Sequence, residues 1–127
     1  MALYVLDSSF AIDYLRGDHG ASERFRRLFD DGDEPLVNAV VVTEVATGAP
    51  GHPDPDLMAF LEPIEFIQPG PDAALLAGQW RAEARRLGHQ LSLADALIAA
   101  AAESVGAAVL TRNVRDFALT PVRVEPY

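Results

Sequence analysis

Four acids stand where acids are uncommon. Asp7 ends the apolar run Tyr4-Val5-Leu6 and opens the stretch SSFAIDYL. Glu44 lies in AVVVTEVATG, with Val41 and Val45 on the same helical face. Asp95 lies in LSLADALIAAAA, where helical spacing puts it on one stripe with Leu91, Ile98 and Ala102. Asp116 lies in LTRNVRDF, after an apolar run that ends at Leu110. Each has an ordinary role open to it. Asp7 can cap the helix that follows. Ser92-x-x-Asp95 has the pattern of a capping box, and Asn113-x-x-Asp116 has it by analogy. Glu44 can be a solvated side chain. Together they ask for more, because burying an isolated carboxylate costs several kcal/mol. No lysine exists to neutralise them, and few arginines lie near them in the sequence. A cluster of this kind suggests a hard divalent cation that keeps waters in its shell, Mg²⁺ or Mn²⁺. The matching chemistry is phosphodiester hydrolysis. Metal ions lower the pKa of a bound water, and two of them about 4 Å apart need three or four carboxylates.

The elements that must position these acids alternate between strand and helix. Strands are expected over 2–6, 36–39, 64–67, 107–110 and 122–124. Helices are expected over 8–16, 21–29, 41–47, 57–61, 71–87 and 93–105, with a helical turn over 114–117. Pro71 opens the longest helix and Gly88 closes it, while Gly17, Gly48 and Gly106 close others. The stretch GAPGHPDP reads as a loop. Short strands alternating with helices imply a parallel sheet covered by helices, an α/β sandwich. In such sheets the ligand site lies beyond the carboxyl ends of the strands. Asp7 and the segment Thr111 to Asp116 fall at such ends.

The 127 residues fit one domain, 1–127, with one core. No apolar run approaches the roughly 20 residues of a membrane helix, and the start lacks the basic region of a signal peptide. There is no cysteine, hence no disulfide framework and no thiolate chemistry. A cytoplasmic setting is the default expectation. The net charge of −9 disfavours non-specific nucleic-acid binding. All ten basic residues are arginines, which excludes a P-loop and Schiff-base chemistry.

Asp7 in VLDSSFAIDYLRG, Glu44 in VVVTEVATG, Asp95 in LSLADALIAAAA and Asp116 in LTRNVRDF resemble, in order and spacing, the signature of the PIN domain. More narrowly they resemble the VapC toxins of bacterial toxin–antitoxin pairs. The resemblance runs from Tyr4 to the end of the chain. It implies a PIN-like three-layer α/β/α sandwich with a short, mainly parallel sheet. It also implies Mg²⁺-dependent RNA cleavage, a homodimer and a VapB-type antitoxin. Asp7, Glu44, Asp95 and Asp116 would be the acidic quartet, with Asp7, Asp95 and Asp116 on the metal. Ser8 or Ser9, and Thr111, match positions where the family keeps small hydroxyl residues beside the metal. Many PIN domains place an acid where this chain has Asn113. Asp116 is then expected to complete the pocket, and Asn113 to cap the turn 114–117 with its side chain.

Arg112 and Arg115 flank the fourth motif and suit either RNA phosphate or a neighbouring acid. Arg81, Arg85 and Arg86 read as a solvated helix face, and Trp80 as core or dimer surface. The helices carrying Phe25, Leu28 and Trp80 are the expected dimer faces. His19, His52 and His89 sit in Gly- or Pro-rich turns and read as surface residues. Two other functions fit a similar sheet. One is a phosphatase or phosphoacceptor using Asp7 as nucleophile, which the missing lysine disfavours. The other is a non-catalytic partner-binding module, which has no need of buried carboxylates.

Overall fold

The computed structural model describes residues 1–48 and 54–127. Its sheet contains β1 (Leu3–Leu6), β2 (Glu34–Val37), β3 (Glu65–Phe66), β4 (Ala108–Leu110) and β5 (Val124–Glu125). Their order is β3-β2-β1-β4-β5, and every pairing is parallel. The sequence LYVL suits the middle position, because strands of a covered parallel sheet are buried on both faces. Val5, Leu6, Val109 and Leu110 are wholly enclosed. Val5 pairs with Leu36 on one side and with Val109 on the other.

Parallel neighbours need crossover connections. α1 (Ser8–Leu15) and α2 (His19–Asp30) join β1 to β2. α3 (Ala39–Thr47) and α4 (Pro55–Leu61) lead on towards β3. α5 (Pro71–Arg86) and α6 (Leu93–Val105) return the chain across the sheet to β4, and α7 (Val114–Phe117) precedes β5. The direction of strand addition therefore reverses between β1 and β4. Right-handed crossovers then put the helices of the two halves on opposite faces, which gives the α/β/α layering.

The main core runs from Phe10, Phe25 and Leu28 through Leu36, Val37 and Val41 to Ile98, Leu110 and Phe117. A second cluster, Ala73, Ala77, Ala84, Leu91, Ala96 and Ala100, packs α5 on α6, and Trp80 leans on both clusters. Ala99 to Ala102 are all fully buried, so α6 is enclosed on every side there. Methyl side chains let α5 and the sheet approach it closely, which fixes the helix that carries Asp95.

Several boundaries differ from the sequence expectation. β2 begins at Glu34 and stops at Val37, because the Asn38 side chain accepts the Val41 N–H at 3.3 Å and starts α3. α2 begins at His19, capped by Asp18 through the Ala21 N–H at 2.9 Å. α4 begins at Pro55 behind an Asp54 cap. The last strand lies at Val124–Glu125, where the Thr111 N–H reaches the Glu125 carbonyl at 3.1 Å. Residues 49–53 of the GAPGHPDP stretch, His52 included, lie outside the described residues. Phe25 and Leu28 are only 7% and 0% exposed, so they belong to the core of this chain and cannot form a dimer face. Among the described residues no helix is long and apolar enough to cross a membrane.

Candidate active site

Asp7 leaves β1 in extended conformation and caps α1, accepting the Phe10 N–H at 3.0 Å. It is 4% exposed. Two side-chain hydroxyls also reach it. Ser9 Oγ donates to Oδ1 at 2.8 Å, and Thr111 Oγ1 donates to Oδ2 at 2.6 Å. Burial pushes the Asp7 carboxyl above its usual range, against the downward pull of Thr111, Phe10 and Ser9. Thr111 is itself fully buried, and its Oγ1 accepts the Asn113 N–H at 2.8 Å. One hydroxyl therefore ties the end of β1 to the turn after β4.

Asp95 sits in the first turn of α6, where Ser92 Oγ accepts its N–H at 3.0 Å. The side chain is half-buried. Its pKa rises to about 6, from burial first and then from the charges of Asp116, Asp7 and Glu44, while a hydrogen bond from Ser92 opposes the rise. The four acids thus lie within electrostatic reach of one another. They are not equally enclosed: Glu44 and Asp116 are exposed. Ser8 Oγ donates to Glu44 Oε1, so the two adjacent serines serve two different acids. Asp95 and Asp116 open onto a groove of about 650 Å³ that Ser92, Arg81 and Arg115 also line.

The fourth motif is organised differently from expectation. The Asn113 side chain makes no cap hydrogen bond, and its backbone lies at φ −99°, ψ 62°. The neighbouring hydroxyl of Thr111 holds the turn through the Asn113 backbone, so the amide side chain is left exposed. Arg112 is committed to an ion pair, with Nη1 2.9 Å from Oδ1 and 2.8 Å from Oδ2 of Asp13.

Asp13 was not marked by the sequence reading. It is 6% exposed and also accepts the Tyr127 hydroxyl at 2.6 Å. Burial and this acid push the Tyr127 hydroxyl pKa well up. The Tyr127 ring meets Phe10 edge-on at 4.8 Å. The available signal was Asp13 standing three residues after Phe10, on the inward face of α1.

The acidic oxygens suit Mg²⁺ or Mn²⁺ in type. Among the described residues, no three His, Cys, Asp or Glu side chains are gathered closely enough to hold an ion alone. An ion held by these acids would need water or substrate phosphate to complete its shell, as Mg²⁺ commonly does. Burial is the larger cause of the raised Asp95 pKa, and a cation would relieve only the smaller part that comes from the neighbouring acids.

Acids gathered at the strand-order reversal of a parallel sheet are the arrangement of an α/β nuclease domain. The PIN domain family model matches residues 4–121, and the chain belongs to that family. It is 30% identical over 123 residues to Ribonuclease VapC19 of Mycobacterium tuberculosis, covering 97% of this chain and 98% of that one. It is 27% identical over 134 residues to the tRNA(fMet)-specific endonuclease VapC of Salmonella typhimurium, covering 100% and 99%. Among solved structures, VapBC2 from Rickettsia felis bound to a promoter DNA fragment superposes with a TM-score of 0.85 at 20% identity, covering 98% of both chains. DNA-bound VapBC from Salmonella typhimurium does so with a TM-score of 0.83 at 26% identity, covering 99% of this chain and 98% of that one.

Two outcomes are expected from this geometry. The folded pKa of Asp95, about 6, lies above its ordinary 3.8. The native state therefore binds a proton that the unfolded chain has released, and metal-free stability falls as pH rises through that window. Asp95→Asn should raise stability in EDTA at pH 7.5 by about 1 kcal/mol after solvent screening is allowed for. The gain should close towards pH 4, as read by thermal melts at both values. A variant less stable than wild type at pH 7.5 contradicts the electrostatic reading. Thr111→Val should cost about 2–3 kcal/mol in urea unfolding, because it strips a donor from a buried carboxylate. Asn113→Ala should stay within about 0.5 kcal/mol, its side chain capping nothing. Equal costs would restore Asn113 as the cap.

Proposed function

We infer that this chain is a ribonuclease of the VapC type, the toxin half of a toxin–antitoxin pair, and that it hydrolyses RNA with a divalent metal. One observation carries the reading: Asp7, Glu44, Asp95 and Asp116 share one electrostatic field at the strand-order reversal, and none of them makes an ion pair among the described residues. The relatives called ribonuclease and endonuclease support it over nearly the full chain.

Asp7, Asp95 and Asp116 would hold Mg²⁺ or Mn²⁺, which supplies an activated water and stabilises the charge developing on the phosphate. The chain's own part is positioning. Ser9 and Thr111 fix both oxygens of Asp7, so its carboxylate enters the reaction already oriented. Ser92 fixes the first turn of α6 beneath Asp95. Ser8 steers Glu44 towards the same side. Thr111, through the Asn113 N–H, aims the turn that carries Asp116.

A phosphoacceptor role for Asp7 fits this geometry poorly. An in-line attack needs room for the phosphoryl group at the carboxylate, whereas Asp7 is enclosed, 4% exposed, and the chain has no lysine to hold that group. The partners in this reading are an RNA substrate, a VapB-type antitoxin that blocks the acids, and a second copy of the chain in a homodimer. With Phe25 and Leu28 in the core, a dimer face on these helices would be made by other side chains, such as Phe29 on α2 or Leu75 on α5, which are 45% and 66% exposed.

Purified protein should cleave labelled RNA with Mg²⁺ or Mn²⁺ and stop when EDTA is added. Asp7→Asn should lose at least about 100-fold in rate with its far-ultraviolet circular dichroism unchanged, beyond the 10–100-fold typical of outer partners. Full activity in EDTA would defeat the metal reading, and a wild-type rate for Asp7→Asn would remove that residue from the site.

A further inference from the structure

Arg24, Arg26, Arg86 and Arg112 make ion pairs; of the six arginines that make none among the described residues, Arg81, Arg85 and Arg115 line adjoining recesses. These three are not scattered. Arg81 and Arg115 line the groove onto which Asp95 and Asp116 open. A further recess of about 320 Å³ continues from it, sharing Arg81, His89 and Gln90 and ending at Arg85. No acid lines that second recess. In a chain of net charge −9, a cation-lined channel leading away from the acids is unlike the surrounding surface.

The helix itself shows the contrast. Arg86 turns back to Glu83 at 3.0 Å, as a solvated surface arginine does. Arg81 and Arg85 stand one turn apart on α5 and face the channel instead. Arg81 Nε donates to the Leu91 carbonyl at 3.1 Å. That bond orients the guanidinium and leaves its two Nη groups for another acceptor. The end of α5 at this recess is closed by a glycine cap. Gly88 takes a φ of 81°, and the His89 N–H returns to the Ala84 carbonyl at 2.8 Å.

Acids repel a phosphate that approaches them without its neighbours being compensated. We propose that the channel running from Asp95 and Asp116 past Arg115 and Arg81 to Arg85 carries the sugar–phosphate backbone of a single-stranded RNA segment beside the scissile bond. Guanidinium forks suit phosphate oxygens in pairs. Naming RNA as the occupant rests on the ribonuclease reading above.

The test is the salt dependence of binding. An Asp7→Asn background, which should not cut, is titrated with a fluorescein-labelled single-stranded RNA 12-mer from 50 to 200 mM KCl, and anisotropy is read. Each phosphate contact on a single strand contributes about −0.7 to the slope of log K against log salt. Arg85→Gln and Arg115→Gln should each make the slope shallower by about 0.7 and weaken binding several-fold. Arg27→Gln is the control, because Arg27 lies in the last turn of α2, leading to the amino end of β2. In a cleavage assay with Asp7 restored, Arg85→Gln should raise KM and leave kcat nearly unchanged. Unchanged slopes for both channel variants overturn the proposal. Lost antitoxin affinity with an unchanged RNA slope assigns the arginines to an acidic protein segment and overturns it equally. If the slopes shift as expected but the wild-type chain cuts no RNA with Mn²⁺, the channel stands and the ribonuclease reading falls.

Discussion

The hydrogen bond from Thr111 Oγ1 to Asp7 Oδ2 joins the two strands between which the sheet reverses its order. β1 and β4 are adjacent in space but lie on opposite sides of the chain's return crossing. Their carboxyl ends must converge for any site at the reversal to exist. The Asp7 N–H continues the ladder to the Leu110 carbonyl at 3.3 Å, and the side chains then lock the same junction. Thr111 satisfies a buried carboxylate and, with the same oxygen, anchors the following turn. Removing that hydroxyl loosens an acid, a strand end and the approach to Asp116 together.

Around this junction the charges are deliberately unbalanced by the fold. Arginine is available, yet Arg112, the nearest in sequence to Thr111, is drawn off to Asp13, where Tyr127 shares the same carboxylate. Asp95 is left with a pKa of about 6, held up by burial and by three other acids. A protein gains nothing in stability from that arrangement. A divalent cation placed there would relieve the share of the raised pKa that comes from the neighbouring acids. The unpaired arginines along α5 complete the picture by lying beside the acids rather than among them.

Local chemistry was readable where one residue's neighbours in sequence are also its neighbours in space. A carboxylate ending YVL and opening SSFAIDYL had to cap a helix at a strand end, and it does. Asp95 with Ser92 at the head of an alanine-rich helix was equally plain, as was the alternation that gives a parallel sheet. Where partners come from distant segments, the sequence was silent or misleading. Asn113 has the right type for a cap, but Thr111 two residues earlier competes for the same turn and wins. Phe25 and Leu28 look like an amphipathic stripe awaiting a partner. The partner is this chain's own Phe10, Tyr14 and Phe60, with Phe25 within 6.2 Å of each by ring centroid. The Asp13–Tyr127 bond spans 114 positions, and nothing local announces it.

The most direct test is a carboxyl-carbon NMR titration of Asp95 with and without Mg²⁺. Without metal the carboxyl should titrate near 6. With saturating Mg²⁺ its midpoint should fall below about 4, the ordinary aspartate range. The same midpoint in both conditions would mean that no cation relieves these acids, and the metal-dependent site would not stand.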